Sequence, residues 1–388
     1  MAAPVRTPIG RFGGALAALS AAELGAAAAR EALQRSRVPP ERVDEAVFGC
    51  ARQAGGGPNV ARQIAWRSGL PETRPAYTVN MACGSGLKAL DLGCRSIRHG
   101  DAEIVLAGGA ESMSRVPYLL SDARWGQRMG STEVVDGMYR DGFLCPLSEM
   151  VMGETAEELA DRYSVGRGEQ DAFALRSQQR AAAAWAEGRF GAETVAVEAP
   201  GGKGASLVER DEHPRPGTTL ADLGRLRPVF RPDGGGVTAG NSSGITDGAA
   251  ALLLLSPRAA AELRVEAVAR VLGVATAGVD PRIMGIGVVP AVRKLLESLG
   301  RALADFELVE INEAFAAQVL ACDRELGIDP ERLNVNGGAI ALGHPIGASG
   351  ARIVVTLLHE MRRRGARLGL AALCVSGGMG LAAAFEAV

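Results

Sequence analysis

Residues Pro75–Gly109 read PAYTVNMACGSGLKALDLGCRSIRHGDAEIVLAGG. PAYTVN is a strand pattern. Gly84–Gly100 is a helix pattern, with apolar residues at helical spacing and a closing glycine. Glu103–Gly109 (EIVLAGG) is a continuous apolar run of the kind buried on both faces of a sheet. Strand, helix and parallel return make a βαβ unit. The same order comes back near the end of the chain. Arg332–Asn336 (RLNVN) reads as a strand, Ala348–Gly365 as a helix, and Leu368–Gly378 (LGLAALCVSGG) as an apolar strand closing on a glycine pair. Asn80–Gly109 and Asn336–Gly378 thus share one plan, which predicts a duplicated α/β domain. Glu41–Cys50 adds a short helix-to-strand unit to the first half, and Arg264–Thr276 reads as the first sheet strand of the second.

Between the halves the alternation stops. Ser114–Asn241 holds a hairpin-like stretch (Trp125–Phe143), two helical segments and a Gly/Pro/Arg-rich loop. It reads as an insertion, and long insertions usually carry function. The predicted division is 1–113 with 242–263 as an N-terminal half, 114–241 as an inserted loop domain, and 264–388 as a C-terminal half.

Composition narrows the function classes. The 388 residues are 47% hydrophobic and 22% charged, with a net charge of -2, so no basic excess exists to bind a nucleic-acid backbone. No run approaches the ~18 apolar residues of a membrane span. The start lacks the apolar core of a signal peptide, and no CaaX box ends the chain. The six cysteines are scattered and never spaced CxxC, which argues against a disulfide framework or a zinc site and fits a reducing cytoplasm.

Two loops concentrate the chemistry. Cys83 sits where a strand ends and a glycine-rich helix start follows, a place where free N–H groups and the helix dipole favour thiolate. The alternative is a buried turn cysteine. Of four histidines, His99 reads as a helix cap, His213 as a member of a charged loop, and His359 as part of the exposed side of a helix. His344 differs: it stands in NVNGGAIALGHPIGASGAR, the loop that matches Cys83's loop in the other half. Pseudo-twofold halves would bring the two loops to one switch-point cleft, as nucleophile and base. Cys374 ends the last apolar strand, facing the same cleft or buried as core. Asn312 opens NEAFA after the strand pattern ELVEI, at a helix start, where an N-cap is the plain alternative.

Eight stretches, in this order, resemble the thiolase family of acetyl-CoA C-acyltransferases: RTPIGRFGG, NMACGSGLKAL, GGAESMS, MGETAE, VTAGNSSGITDGAAA, NEAFA, NGGAIALGHPIGASGAR and CVSGGMG. The resemblance spans essentially the whole chain. It implies a five-layered αβαβα body with an inserted loop domain. It implies Cys83 as the acylated nucleophile, His344 as its activator and Cys374 as the acid/base. Asn312 would hold a water that forms one oxyanion hole with His344, and the backbone N–H groups of Cys83 and Ser376 would form a second. Arg215, Ser243 and Met152 fall at coenzyme A-binding positions, Arg215 beside the adenine and Ser243 at the pantetheine. His213, Arg215, Arg225 and Arg227 would supply a local basic patch. Coenzyme A enters as substrate, with no permanently bound cofactor and no metal. The resemblance also implies a homodimer or homotetramer, and a hydratase/dehydrogenase subunit as a further candidate partner.

The chain departs from the family pattern at three places. Val151 stands where the family often has histidine, and Ser376 where glycine is usual. Before RTPIGRFGG only MAAPVR is left for a first strand, and Pro4 cannot donate to a ladder. A truncated central strand is therefore expected, from a longer native start or with a solvated far end. Other readings fit less well. A ketoacyl synthase would have histidine in place of Cys374, a sterol-carrier thiolase a different motif at NEAFA, and a nicotinamide dehydrogenase a GxGxxG that CGSGLKAL does not supply. A degenerate, non-enzymatic scaffold would not keep every catalytic position filled.

Overall fold

In the computed structural model, which describes residues 1–201 and 204–388, Pro75–Gly109 folds as strand, helix and strand. The first half supplies β1 (Ala2–Arg6), α1 (Ala21–Ser36), β2 (Glu45–Gly49), α2 (Val60–Arg67), β3 (Ala76–Val79), α3 (Ser85–His99) and β4 (Ile104–Ser112). The chain then leaves the sheet for a segment carrying α4 (Met152–Arg162) and α5 (Arg167–Ala186), and returns as β5 (Thr246–Leu255). The second half supplies β6 (Ala269–Gly278), α6 (Val288–Leu299), β7 (Leu308–Ile311), α7 (Ala316–Leu326), α8 (Ile346–Arg364), β8 (Leu368–Val375) and β9 (Met379–Ala387).

The first sheet runs β1–β5–β4–β2–β3, and the second β6–β9–β8–β7. In each, the strands flanking the crossover helix are parallel and the remaining ones antiparallel. α3 and α8 lie between the sheets, α1 and α2 cover the outer face of the first, and α6 covers that of the second. The result is the five-layered αβαβα body. Buried on all sides, α8 hides every residue except His359 and the last three arginines. His359 is not on an exposed face: it is half-buried, with Nε2 2.8 Å from the Pro4 carbonyl oxygen.

The central helices touch backbone to backbone. A Cβ on Gly86 would lie 2.7 Å from the Ala351 nitrogen, and one on Gly350 would lie 2.5 Å from the Leu87 nitrogen. Both distances are shorter than real Cβ contacts, and backbone cannot rotate aside. Only glycine permits this crossing.

Three expectations are corrected. RLNVN is not a strand; it keeps one parallel bridge, Leu333 to Val309. Asn334 turns left-handed (φ 46°), and its side chain takes over the ladder by accepting from the Ile311 N–H and donating to the Ile311 carbonyl, 2.8 Å each. The first strand is not central. β1 forms at the sheet edge against β5, with a bulge at Ala3 and Pro4, where a missing donor costs least. Its Arg6 is fully buried and ties the strand to the inserted segment through Glu193 at 2.5 Å and Asp211 at 2.7 Å. Finally, α7 begins at Ala316, so Asn312 is no helix cap. Among the described residues, no helix is long and apolar enough to cross a membrane.

The central crossing yields a stability prediction. Gly86→Val should destabilise the protein by about 1–3 kcal/mol through overpacking, read as a lower urea midpoint. An unchanged midpoint would mean the helices can part freely.

Candidate active site

One cleft of about 490 Å³ opens where the strand ends of the two halves meet. Cys83, His344, Cys374 and Ser376 all line it, and so do Met152, Arg215 and Ser243. Four separate chain segments converge here, which is how a duplicated sheet body builds a switch-point site. Cys83 precedes α3, whose N-terminus begins at Gly84. His344 precedes α8, Cys374 lies near the end of β8, and Asn312 follows β7. Asn312 sits behind the cleft wall, fully buried, with Nδ2 3.5 Å from His344 Nε2. Among the described residues, its Oδ1 has no hydrogen-bond partner.

The hydrogen bonds fix the imidazole tautomer. Ser349 Oγ donates to the Pro345 carbonyl at 3.0 Å, so at 2.5 Å it accepts from His344 Nδ1–H. That leaves Nε2 unprotonated, with Asn312 Nδ2 3.5 Å from it. Burial pushes the His344 pKa down to about 3, helped by the charges of Arg352 and Arg52. Burial also pushes the Cys83 thiol above its ordinary value. The charge of Arg52 and the backbone N–H groups of Ser376 and Cys83 pull the other way. Cys374 is raised well above the ordinary thiol value by burial, and the nearby Cys83 adds to the rise. Desolvation wins at all three groups, so the resting site holds two neutral thiols and a neutral imidazole.

Two buried carboxylates hold the loops together. Glu111 accepts from the N–H groups of Ala51 (3.0 Å), Arg52 (3.0 Å) and Gly347 (2.8 Å), which joins a first-half loop to the start of α8. Glu313 accepts from Ser177 Oγ at 2.6 Å and Asn334 Nδ2 at 2.9 Å, which fixes the turn after Asn312 to α5. Neither role has a local sequence signature.

The inserted segment forms the outer wall. A Cβ on Gly153 would lie 2.1 Å from the Phe230 ring, so glycine there lets the ring pack into the first turn of α4. Phe230 meets Phe315 edge to face, with centroids 6.2 Å apart. Val151, Met152 and Met284 extend this apolar wall. Of the expected basic patch, Arg215 is at the cleft, but Arg225 and Arg227 are exposed elsewhere, Arg225 pairing with Asp222 at 3.0 Å. His213 does line the cleft. Its pKa is lowered by burial, so it adds a neutral imidazole rather than a cation. Ser376 needs no glycine freedom: positive φ falls on Gly377 and Gly378 instead. The Phe230–Phe315 wall, Arg52 and Glu111 were not singled out from the sequence. Gly153 beside Phe230 leaves no periodic trace.

A cleft lined by two thiols and an imidazole at the junction of two repeated halves holds groups able to carry and transfer an acyl group. Residues 1–258 match the thiolase N-terminal domain and residues 265–387 the thiolase C-terminal domain. The chain therefore belongs to the thiolase family. It is 53% identical over 381 residues to the acetyl-CoA acetyltransferase of Pseudomonas aeruginosa, covering 98% of this chain and 97% of that one. The acetyl-CoA acetyltransferase of Escherichia coli is 50% identical over 383 residues, covering 98% and 97%. Among solved structures, the Bacillus anthracis acetyl-CoA acetyltransferase superposes with a TM-score of 0.97 at 45% identity, covering 100% of this chain and 98% of that one. Human mitochondrial 3-ketoacyl-CoA thiolase in complex with CoA superposes with a TM-score of 0.96 at 42% identity, covering 100% and 97%. The protein is an acyltransferase of the thiolase type that uses coenzyme A as a substrate.

Proposed function

We propose that Cys83 carries the acyl group, that His344 is its base, and that Cys374 moves the proton at carbon. The supporting observation is that these three groups, from two loops and a strand end, line one cleft. In the cleavage direction, His344 Nε2 takes the proton from Cys83 as the sulfur attacks the 3-keto carbon of a 3-ketoacyl-CoA. The C2–C3 bond breaks and its electron pair passes into the acetyl-CoA enolate. The Cys374 thiol gives its proton to C2, releasing acetyl-CoA. The Cys374 thiolate then takes the proton of the incoming CoA thiol, whose sulfur attacks acyl-Cys83. Cys83 leaves and recovers its proton from His344. Condensation of two acetyl-CoA molecules is the same sequence reversed.

Neutral resting thiols suit this division. A Cys374 held well above its ordinary pKa stays protonated, which makes it an acid for the enolate and, once ionised, a strong base. Oxyanion charge would fall on the N–H groups of Cys83 and Ser376 at one position, and on His344 with an Asn312-held water at the other. Arg215, Ser243 and Met152 are assigned to coenzyme A: Arg215 is exposed at the cleft mouth, and the others lie deeper. We assign most of this binding role to the segment 114–241, which holds Met152 and Arg215, between an N-terminal half (1–113 with 242–263, holding Ser243) and a C-terminal half (264–388). That segment also exposes Trp125 (84%) and Met129 (95%), an apolar tip that supports a homodimer or homotetramer. A monomer by light scattering at micromolar concentration would contradict that assembly. A cytoplasmic setting agrees with six free cysteines.

Brief incubation with acetyl-CoA should leave an acetyl group on Cys83, found by peptide mass. Acetyl on Cys374 with Cys83 unmodified would overturn the assignment. The apolar Val151 wall should also admit acyl chains longer than acetoacetyl. Relative to the parent, Val151→His should lower kcat/KM for a six-carbon ketoacyl-CoA by about fourfold per methylene, from ~0.8 kcal/mol each. No turnover of the six-carbon substrate by the parent, or an unchanged preference in the variant, would contradict this.

A further inference from the structure

Two side chains grip the His344 ring: Ser349 at Nδ1 and Asn312 near Nε2. A second pair lies behind them. Arg352 follows Ser349 by three residues on α8, so the two share a helix face. Glu310 precedes Asn312 by two residues at the end of β7, a spacing that shares a strand face. Arg352 is 2% exposed and Glu310 3%. Arg352 Nη1 lies 3.9 Å from Glu310 Oε2, too far for a direct hydrogen bond. Among the described residues, neither that oxygen nor any guanidinium nitrogen of Arg352 has a hydrogen-bond partner in the protein. A buried guanidinium and carboxyl this poorly satisfied cost more than they return in stability. The two stand on the helix that carries Ser349 and the strand that leads into Asn312, the residues that grip His344, which supplies a different reason for the pair.

We propose that Glu310 and Arg352 are positioning residues for His344: they couple α8 to β7 behind the imidazole and set the charge it faces. The inference rests on His344 being the base at Cys83. The charged and titratable groups facing the ring are Arg352 from α8, Arg52 from the loop after β2, and the thiols of Cys83 and Cys374. Those facing Arg352 are Glu310, Glu313, Glu193 and Arg6. A guanidinium behind the ring disfavours imidazolium, and so disfavours the Cys83 thiolate–His344 imidazolium pair. Glu310, when ionised, offsets that charge. Burial lifts the Glu310 pKa to about 8, so near neutrality Arg352 acts with little offset. Its charge then keeps His344 unprotonated in the resting site and holds back the Cys83 thiolate.

The test is the pH profile of iodoacetamide labelling at Cys83, read by peptide mass on the full chain. His344→Ala should slow labelling at pH 6–7; an unchanged profile there would refute the base reading itself. Arg352→Met should label about three- to tenfold faster than the parent at pH 6–7, as expected when imidazolium gains on the order of half to one pKa unit. Arg352→Lys, which keeps the charge, should track the parent. Glu310→Gln should label no faster than the parent. A gain in Arg352→Met with none in Glu310→Gln is the signature of charge, since structural damage would move both variants the same way. With His344→Ala slowed, an unchanged Arg352→Met profile, or equal shifts in Arg352→Met and Glu310→Gln, overturns the inference alone. If Arg352→Met does not fold, Glu310→Gln decides: faster labelling overturns the proposal, and equal or slower labelling with a parental Arg352→Lys profile supports it.

Discussion

The backbone contact between α3 and α8 is the constraint on which the rest of the structure depends. Each helix begins immediately after the loop that presents a reactive group, Cys83 before α3 and His344 before α8. The distance between the helices therefore sets the distance between the loops. Gly86 and Gly350 allow a separation that any side chain would widen. Leu87, Ile353, Val354 and Leu357, all buried, fill the remaining space between the sheets. The gain from burying this layer is non-directional, so it could tolerate several registers. The glycines select one.

Polar groups then add the precision that packing lacks. Glu111 fastens the loop after β2 to the start of α8, and Glu313 fastens the turn at Asn312 to α5. Both carboxylates are buried and have raised pKa values, with desolvation as the main cause. Their backbone and hydroxyl donors offset part of that cost. The same desolvation shapes the cleft: it holds His344 and both thiols neutral in the resting state. Under the proposed roles, charge appears only when substrate arrives, where backbone N–H groups can meet it. Preorganised dipoles in a dry site act most strongly on such transient charge.

Much of this was legible in the sequence because it is encoded locally. The βαβ patterns need only periodicity and closing glycines, and they recovered α3, β4, α8 and β8. The two glycine-rich loops carried Cys83 and His344, and their matching places in the repeat pointed to one cleft before any coordinates. What failed was set by distant partners. RLNVN has strand composition, yet the Asn334 side chain replaces the ladder at Ile311. His213 sits in a charged stretch, yet tertiary burial keeps it neutral. A central, truncated first strand is the expectation from the sequence, but the sheet order places it at an edge, as it does β6 in the other half, and there Pro4 does little harm. The Phe230–Phe315 contact joins residues far apart in the chain, and no window of sequence contains it.

The central claim is that two thiols in one cleft divide the work, one holding acyl and the other moving a proton at carbon. Deuterium exchange into the methyl group of acetyl-CoA, measured in heavy water with Cys374→Ala beside the parent enzyme, tests it most directly. The account predicts that exchange falls by about 10²–10⁴-fold, the usual contribution of a general acid–base group, while Cys83 still becomes acetylated. Exchange at an undiminished rate in the Cys374→Ala protein would contradict it.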